Sequence, residues 1–145
     1  MDKIKPIFTV AATSVGGRTG HSETSDNVLT MDFSMPAEMG GPGTAGTVTP
    51  EHLFALGYAA CFGGALSFTA EQRGKDASHA KTTCRVSIGK RAESGFALSV
   101  KMFVEDTTLP QADLDALVKE AHEKICPYSH ATRNNVEVLF DVKGA

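Results

Sequence analysis

The chain has 145 residues, a formal net charge of −3, and 14 Lys and Arg residues that form no cluster. This length suits one domain with a sizeable core, and the charge argues against a polyanion-binding protein. Three widely spaced cysteines give no disulfide framework, and the first residues lack the apolar run of a secretory signal. We therefore expect one domain, residues 1–145, in a reducing cytoplasm, with no nucleic-acid or membrane partner.

The first third of the chain is expected to form strands that lead into a long loop. Residues 6–13 read as a first strand, and the glycines of residues 16–20 predict a tight turn with Arg18 at its tip. Residues 28–33 alternate in part and predict a further strand. Residues 35–48 are rich in glycine and proline, which is typical of a lid or a binding segment.

Residues 49–70 predict a long helix around which the rest of the chain is organised. Thr49 is a good N-cap, Pro50 suits the first helical position, and Glu51 suits the positive end of the dipole. No charged residue follows until residue 71, and apolar or small residues occupy every face, so we expect protein to enclose the helix all round. At a rise of roughly 1.5 Å per residue the uncharged run is shorter than a bilayer core, and its glycines and hydroxyls dilute it, which favours a buried helix.

After this helix the pattern predicts a hairpin. Gly74 follows the helix in the C-cap position. Residues 84–88 and 96–104 alternate between apolar and polar side chains, as half-buried strands do. Residues 91–95 have the length of a hairpin connection.

A second helix follows Pro110, is stopped by Pro127, and precedes a closing strand over residues 136–142. The apolar side chains of this helix recur at three- and four-residue steps: Leu114, Leu117, Val118, Ala121 and Ile125. The element order βββ–α–ββ–α–β predicts an α+β fold in which strongly bent antiparallel sheets wrap around the long helix.

The three cysteines differ in what their positions allow. Cys84 shares a strand phase with Val86, so its thiol is expected to point inward as a small apolar group. Cys126 ends the second helix, where the carbonyl end of the dipole would raise the pKa of a thiol, so this thiol suits a second step better than a first attack. Cys61 lies in mid-helix and needs a nearby cation to be a thiolate at neutral pH.

Arg18 is the candidate for that cation, and Glu51 is the candidate to hold Arg18 in place. A bidentate arginine–carboxylate pair would fix the guanidinium plane and leave one donor edge for sulfur. The residues alone leave another interpretation open, in which Arg18 is a solvated turn residue and Glu51 an ordinary first-turn acid.

Four segments, in order and at matching spacing, resemble the organic hydroperoxide resistance (Ohr) branch of the OsmC superfamily: residues 16–20, 36–41, 49–62 and 126–133. The resemblance covers essentially the whole chain, and it implies an OsmC-like fold in an intertwined homodimer. It also implies that Cys61 is the peroxidatic cysteine and Cys126 the resolving cysteine. Arg18 matches the arginine near the thiolate, and Glu51 matches the glutamate that anchors that arginine.

The resemblance implies a thiol-dependent peroxidase that reduces organic hydroperoxides to alcohols through a sulfenic acid and then a disulfide. The expected reductant is dihydrolipoamide or a lipoylated protein, and no metal or organic cofactor is required. Apolar side chains around Cys61 would favour the binding of an alkyl hydroperoxide over that of H₂O₂. Each of these side chains would also suit a hydrophobic core: Met35, Met39, Phe54, Tyr58 and Phe62.

Helix geometry adds an expectation about assembly. Glu51 and Cys61 are ten residues apart on one helix, which separates them by roughly 15 Å along its axis. A Glu51–Arg18 pair would hardly reach that sulfur within one chain. A two-fold dimer with antiparallel central helices would bring the pair of one subunit to Cys61 of the other, so we expect an obligate homodimer.

The chain departs from the Ohr pattern at four positions. The family commonly has Asn and Gln where this chain has Thr49 and His52, and Asn and Gly where it has His130 and Asn134. None of these is a reacting group, so they bear on substrate preference and loop conformation rather than on chemistry. His130 is expected to lie in solvent.

Three other functions compete with this interpretation. A metal module would use Cys61, Cys126 and His130, with His122 as an optional fourth ligand, although Pro127 breaks the helix between Cys126 and His130. An apolar-ligand carrier would use the enclosed cavity without thiol chemistry. The sister OsmC branch would use the same thiols on a broader range of peroxides.

Overall fold

The computed structural model describes residues 2–145 and divides the chain into two compact units, one ending at Pro50 and one running from Glu51 to Ala145. Each unit contains one three-stranded sheet. The α+β prediction is confirmed, and the single domain over residues 1–145 stays a prediction.

The first unit is built on an antiparallel sheet of β1 (Ala12–Val15), β2 (His21–Thr24) and β3 (Thr30–Asp32), in that order. The predicted first strand is wrong over most of its length, because only its last two residues belong to β1. Apolar alternation marks a strand only where one face is covered, and Ile7 is 99% exposed. The short β2 was not located from the sequence.

The predicted glycine turn is confirmed, with Arg18 on a single 3₁₀ turn, Gly17–Thr19. Gly16 and Gly17 have φ values of 79° and 56°, which other residues rarely adopt. This backbone conformation presents Arg18 between the two strands that the turn connects.

The glycine- and proline-rich loop is held by its own hydrogen bonds. It contains a 3₁₀ turn, Ala37–Met39, and the Gly43 N–H donates to the Met35 carbonyl at 3.0 Å. A Cβ on Gly41 would lie 2.2 Å from the Met35 carbonyl oxygen, so only glycine fits there. Its role as a lid or binding segment stays a prediction.

The second unit begins with the long helix α1 (Pro50–Gln72), as predicted. Gly74, with φ 66°, turns the chain away, and the Lys75 N–H donates to the Ala70 carbonyl at 2.9 Å. This is the glycine C-cap that the sequence predicted.

One face of α1 forms the centre of the core, and the opposite face is exposed in this chain. The buried residues are Tyr58, Phe62, Ala65, Leu66, Thr69 and Ala70. Exposed residues recur at four-residue steps and form what we call the α1 stripe: Leu56, Ala60, Gly64 and Phe68. The prediction that protein encloses this helix all round is therefore wrong for a single chain, because the core of the second unit covers only one side of it.

Length and composition alone would allow α1 to cross a membrane. The same properties suit a core helix, and the side chains of α1 support that role. Phe62 and Leu66 are completely buried in one apolar cluster with Met102.

The second sheet has the order β4 (Lys81–Lys90), β5 (Phe96–Glu105) and β6 (Glu137–Lys143). β4 and β5 form the predicted hairpin, closed by the Arg91 N–H on the Gly95 carbonyl at 3.0 Å. The prediction of an entirely antiparallel sheet is wrong at β6, which pairs parallel to β5. The helical connection after β5 carries the chain back to the starting end, as a parallel pair requires.

The second helix is not a single α-helix. It runs as α2 (Gln111–Glu120), continues as a π-turn (Ala121–Ile125), and is followed by a separate short helix, α3 (Pro127–Thr132). Pro127 therefore starts a helix as well as ending one.

The π-turn changes which side chain faces the core. The Cys126 N–H donates to the Ala121 carbonyl at 2.9 Å, five residues back instead of four. Ile125 is 37% exposed and Cys126 only 1% exposed. The predicted apolar face is right as far as Ala121 and wrong at Ile125, because the extra residue in the turn rotates Cys126 into its place.

Asn134 follows α3 in the left-handed region, with φ 62°. Asparagine and glycine are the residues that tolerate this conformation best, which explains why Asn134 can stand where the resemblance expects glycine.

We expect Asn134→Gly to be tolerated and Asn134→Ala to lower the free energy of unfolding by about 1 kcal/mol, since a left-handed backbone penalises a Cβ that lacks a local hydrogen bond. Urea denaturation measures both. Asn135→Ala, at the neighbouring position without a positive φ, is the matched control. Equal losses for the two alanine variants would contradict this explanation.

Candidate functional site

The second unit brings Cys61 and Cys126 together, with 3.6 Å between their sulfur atoms. Both thiols are free, Cys61 half-buried in the middle of α1 and Cys126 almost completely buried. A disulfide has an S–S length of about 2.0 Å, so bond formation requires only a small movement of the two side chains.

Both sulfurs receive backbone N–H groups from the first turn of α3. Cys126 is the N-cap of that helix, and its sulfur accepts the Ser129 N–H at 3.4 Å. The sulfur of Cys61 accepts a backbone hydrogen bond from Tyr128. The prediction for Cys126 considered only the helix that this residue ends. In the structure Cys126 is also the N-cap of the next helix, α3.

The second unit works against ionisation of Cys61. Burial raises the pKa of the Cys61 thiol, and the neighbouring Cys126 thiol raises it further, while the Tyr128 N–H lowers it. Burial is the largest of these effects. A nearby cation would favour the thiolate form of Cys61.

Arg18 and Glu51, the predicted activating pair, belong to different units of the chain. Arg18 is half-buried on its glycine turn, and Glu51 is half-buried in the first turn of α1. Their pairing and their approach to Cys61 stay predictions.

An aromatic cluster borders the sulfur pair. The Tyr58 ring centroid lies 5.9 Å from that of Phe54 and 5.8 Å from that of Tyr128. Gly57 lies directly beneath Tyr128, since a Cβ there would be 3.1 Å from the Tyr128 phenol oxygen. Tyr128 is 41% exposed and was missed by sequence reasoning, although it stands two residues after Cys126.

The five predicted substrate contacts divide by burial. Tyr58 and Phe62 have no exposed surface, and the Phe62 ring packs on Phe140 at 5.2 Å between centroids. The structure therefore assigns these two to the core, because no substrate can touch an enclosed ring. Phe54 is half-buried, as are Met35 and Met39 of the first unit.

Cys84 points inward from β4, as its strand phase predicted. Burial raises the pKa of the Cys84 thiol from its ordinary value of 9.0 to about 11. This thiol is therefore protonated near neutral pH.

The alternative function as a metal module requires several ligand side chains close together. Within residues 2–145, no three His, Cys, Asp or Glu side chains gather where they could hold an ion. His130 is exposed on α3, as expected, and His122 packs edge-on against Phe140 with ring centroids 4.8 Å apart.

Fold and site together define an α+β protein with a closely paired, mostly buried dithiol. The family model of OsmC-like proteins matches residues 41–140. The organic hydroperoxide resistance protein of Xanthomonas axonopodis pv. citri is 42% identical over 137 residues, covering 94% of both chains. OhrA of Bacillus subtilis is 39% identical over 139 residues, covering 95% of this chain and 97% of its own.

A solved structure gives the same result for the fold. A crystal structure of an organic hydroperoxide resistance protein OsmC from Legionella pneumophila matches with a TM-score of 0.89 and 42% identity. The match covers 96% of this chain and 99% of that one. The chain belongs to the OsmC-like family, in its organic hydroperoxide resistance branch, which confirms the resemblance read from the sequence.

We expect the buried Cys84 thiol to make folding stability fall as the pH rises from about 9 toward about 11. An acid whose pKa rises on folding holds its proton longer in the folded state, so its contribution to stability is complete below its unfolded pKa and is lost as the pH passes its folded pKa. Urea denaturation at several alkaline pH values measures the slope. Cys84→Ala should flatten that slope, and an unchanged slope would contradict the inference.

Proposed function

We propose that this chain defends the cell against organic hydroperoxides as a cysteine-dependent peroxidase. The observation that carries the proposal is the 3.6 Å separation of the Cys61 and Cys126 sulfurs. Membership of the organic hydroperoxide resistance branch supports the substrate class and the role in oxidative-stress defence.

In the first step the Cys61 thiolate attacks one peroxide oxygen. The O–O bond breaks, the alkoxide leaves and takes a proton to become an alcohol, and Cys61 becomes a sulfenic acid. The Cys126 thiol then displaces the sulfenic oxygen as water and forms the Cys61–Cys126 disulfide. Their sulfurs already lie in van der Waals contact, so this step competes well with further oxidation of Cys61.

A dithiol then restores the reduced pair by thiol–disulfide exchange. Cys126 is 1% exposed, whereas Cys61 is half-buried, so an external thiolate has access to the Cys61 sulfur first. Cys126 leaves as the thiol, and the second thiol of the reductant releases Cys61. A dihydrolipoyl group suits this step, because its two thiols close into a stable ring.

Ionisation of Cys61 is the role we propose for Arg18, with Glu51 as its anchor. The second unit raises the pKa of Cys61, so a thiolate needs compensation from a cation. An arginine held by a carboxylate keeps its charge and one donor edge available in an apolar site.

The proposed substrate surface is apolar and aromatic. Phe54 and Tyr128 keep exposed surface beside the sulfur pair, and we propose that Met35 and Met39 of the first unit contribute to the same surface. Binding of an alkyl chain removes the apolar surface of such side chains from water, which is favourable. H₂O₂ has no apolar group that could do the same.

We propose that the α1 stripe is the centre of a homodimer interface. Leu56 is 67% exposed and Phe68 is 49% exposed, with Ala60 and Gly64 between them. Large apolar side chains at both ends, with small residues between them, permit close packing of a second copy of the same helix. The reducing cytoplasm is the compartment we propose, because the proposed chemistry starts from free Cys61 and Cys126 thiols.

The test of function is a peroxidase assay with cumene hydroperoxide and dihydrolipoamide. Cys61→Ser should abolish turnover, because the attacking sulfur is lost. Cys126→Ser should permit about one turnover per chain and then stop as Cys61 is oxidised further, which mass spectrometry detects as added oxygen. Cys84→Ala is the matched control and should keep full activity. Activity of Cys61→Ser near that of the wild type would refute the proposal.

A mixing experiment tests the shared site. Cys61→Ser and Arg18→Ala, each inactive alone, are refolded together in equal amounts. If the arginine of one subunit serves Cys61 of the other, half of the dimers carry one intact site, and activity should return to about a quarter of the wild-type value.

Each variant refolded alone is the control for that mixture. If Arg18 serves Cys61 of its own chain, the mixture stays inactive, which would overturn the proposed sharing. Light scattering of the wild-type protein gives the oligomeric state, and an active monomer would contradict the dimer.

A further inference from the structure

Helices α1 and α3 are connected by a buried hydroxyl cluster that the proposed chemistry does not use. The Tyr58 phenol oxygen lies 3.0 Å from Ser129 Oγ and 3.3 Å from Thr132 Oγ1. Tyr58 and Ser129 have no exposed surface, and Thr132 is 5% exposed. These contacts are inaccessible to water, so each oxygen depends on its protein partners.

The three hydroxyls of the cluster can each donate one hydrogen bond. Thr132 Oγ1 lies 2.9 Å from the Tyr128 carbonyl oxygen, which can only accept. When Thr132 donates to that carbonyl, it accepts from Tyr58, Ser129 donates to Tyr58, and each hydroxyl donates once. Burial raises the pKa of Tyr58, which keeps the phenol protonated and able to donate.

The cluster ends at the residues that contact the sulfurs. Tyr58 lies one turn before Cys61 on α1, and Ser129 lies one turn after Cys126. The N–H of Ser129 donates to the Cys126 sulfur at 3.4 Å, and the N–H of Tyr128 donates to the Cys61 sulfur. The segment that the phenol holds is therefore the segment that fixes both sulfurs.

We propose that Tyr58 is a positioning residue for the cysteine pair, whose phenol holds α3 against α1 and so sets the distance between the two sulfurs. The ring of Tyr58 packs in the core, and its hydroxyl supplies the directional contact that packing alone lacks. This inference deepens the proposed function, since it concerns the same two sulfurs, but it makes no use of a peroxide.

The test uses Ellman's reagent on the reduced protein in a Cys84→Ala background, which leaves only the paired thiols. Cys61 attacks the reagent and releases one thionitrobenzoate, a step that reports ionisation. Cys126 then displaces the second thionitrobenzoate from Cys61 and closes the disulfide, a step that reports positioning. Stopped-flow absorbance resolves the two releases.

Tyr58→Phe keeps the ring and removes only the hydroxyl. We expect the second release to slow about tenfold, the scale of one lost buried hydrogen bond, and the pH midpoint of the first release to move upward. Thr69→Val is the matched control, because Thr69 is also buried on α1 but bonds only the Ala65 carbonyl, at 2.8 Å. Both releases should match the parent in that variant.

A double-mutant cycle tests the contact between the two hydroxyls. It adds the single variant Ser129→Ala and the double variant that combines Ser129→Ala with Tyr58→Phe. Because both changes break the same contact, the double variant should close the disulfide no more slowly than the slower single variant. Additive effects, or a Tyr58→Phe variant that closes at the parental rate, would overturn the inference. A protein that closes its disulfide in this way yet reduces no hydroperoxide would refute the proposed function and leave the positioning role standing.

Discussion

The start of α3 is the structural element on which the site depends. Cys126 has its backbone N–H bound across the π-turn to Ala121, and its sulfur caps the helix that follows. With an ordinary α-helical turn, Ile125 would occupy the buried position and Cys126 would face elsewhere. One extra residue in the turn therefore decides that a thiol, and not an isoleucine, lies 3.6 Å from the Cys61 sulfur.

Burial serves one step of the proposed chemistry and opposes another. Cys126 is almost completely buried, so under the proposal it is reached by Cys61 rather than by external oxidants. The same enclosure raises the pKa of Cys61, because a thiolate loses its hydration in an apolar site. One backbone N–H from Tyr128 only partly compensates for this effect. The proposed role of Arg18 is to offset this cost of burial.

Sequence patterns predicted those features that depend on local periodicity. The helix around Cys61, the hairpin and the inward phase of Cys84 were all found in this way. The π-turn was not predicted, because it differs from an α-helix only in the register of its hydrogen bonds. The parallel pairing of β6 depends on where a long connection ends, which no local pattern records. The strand predicted over residues 6–11 did not form, because an alternating pattern favours a strand only where a packed surface covers one of its faces.

The two units divide the elements of the proposed site in a way that separates two chemical tasks. The second unit holds Cys61, Cys126 and the hydroxyl cluster around Tyr58, which are the groups of the proposed disulfide step. The proposed cation, Arg18, belongs to the first unit. Under the proposal, closure of the disulfide depends on residues of the second unit, whereas ionisation of Cys61 depends on Arg18 of the first unit. Loss of Arg18 would then slow the attack on peroxide and leave the two sulfurs positioned to form the disulfide once Cys61 has been oxidised.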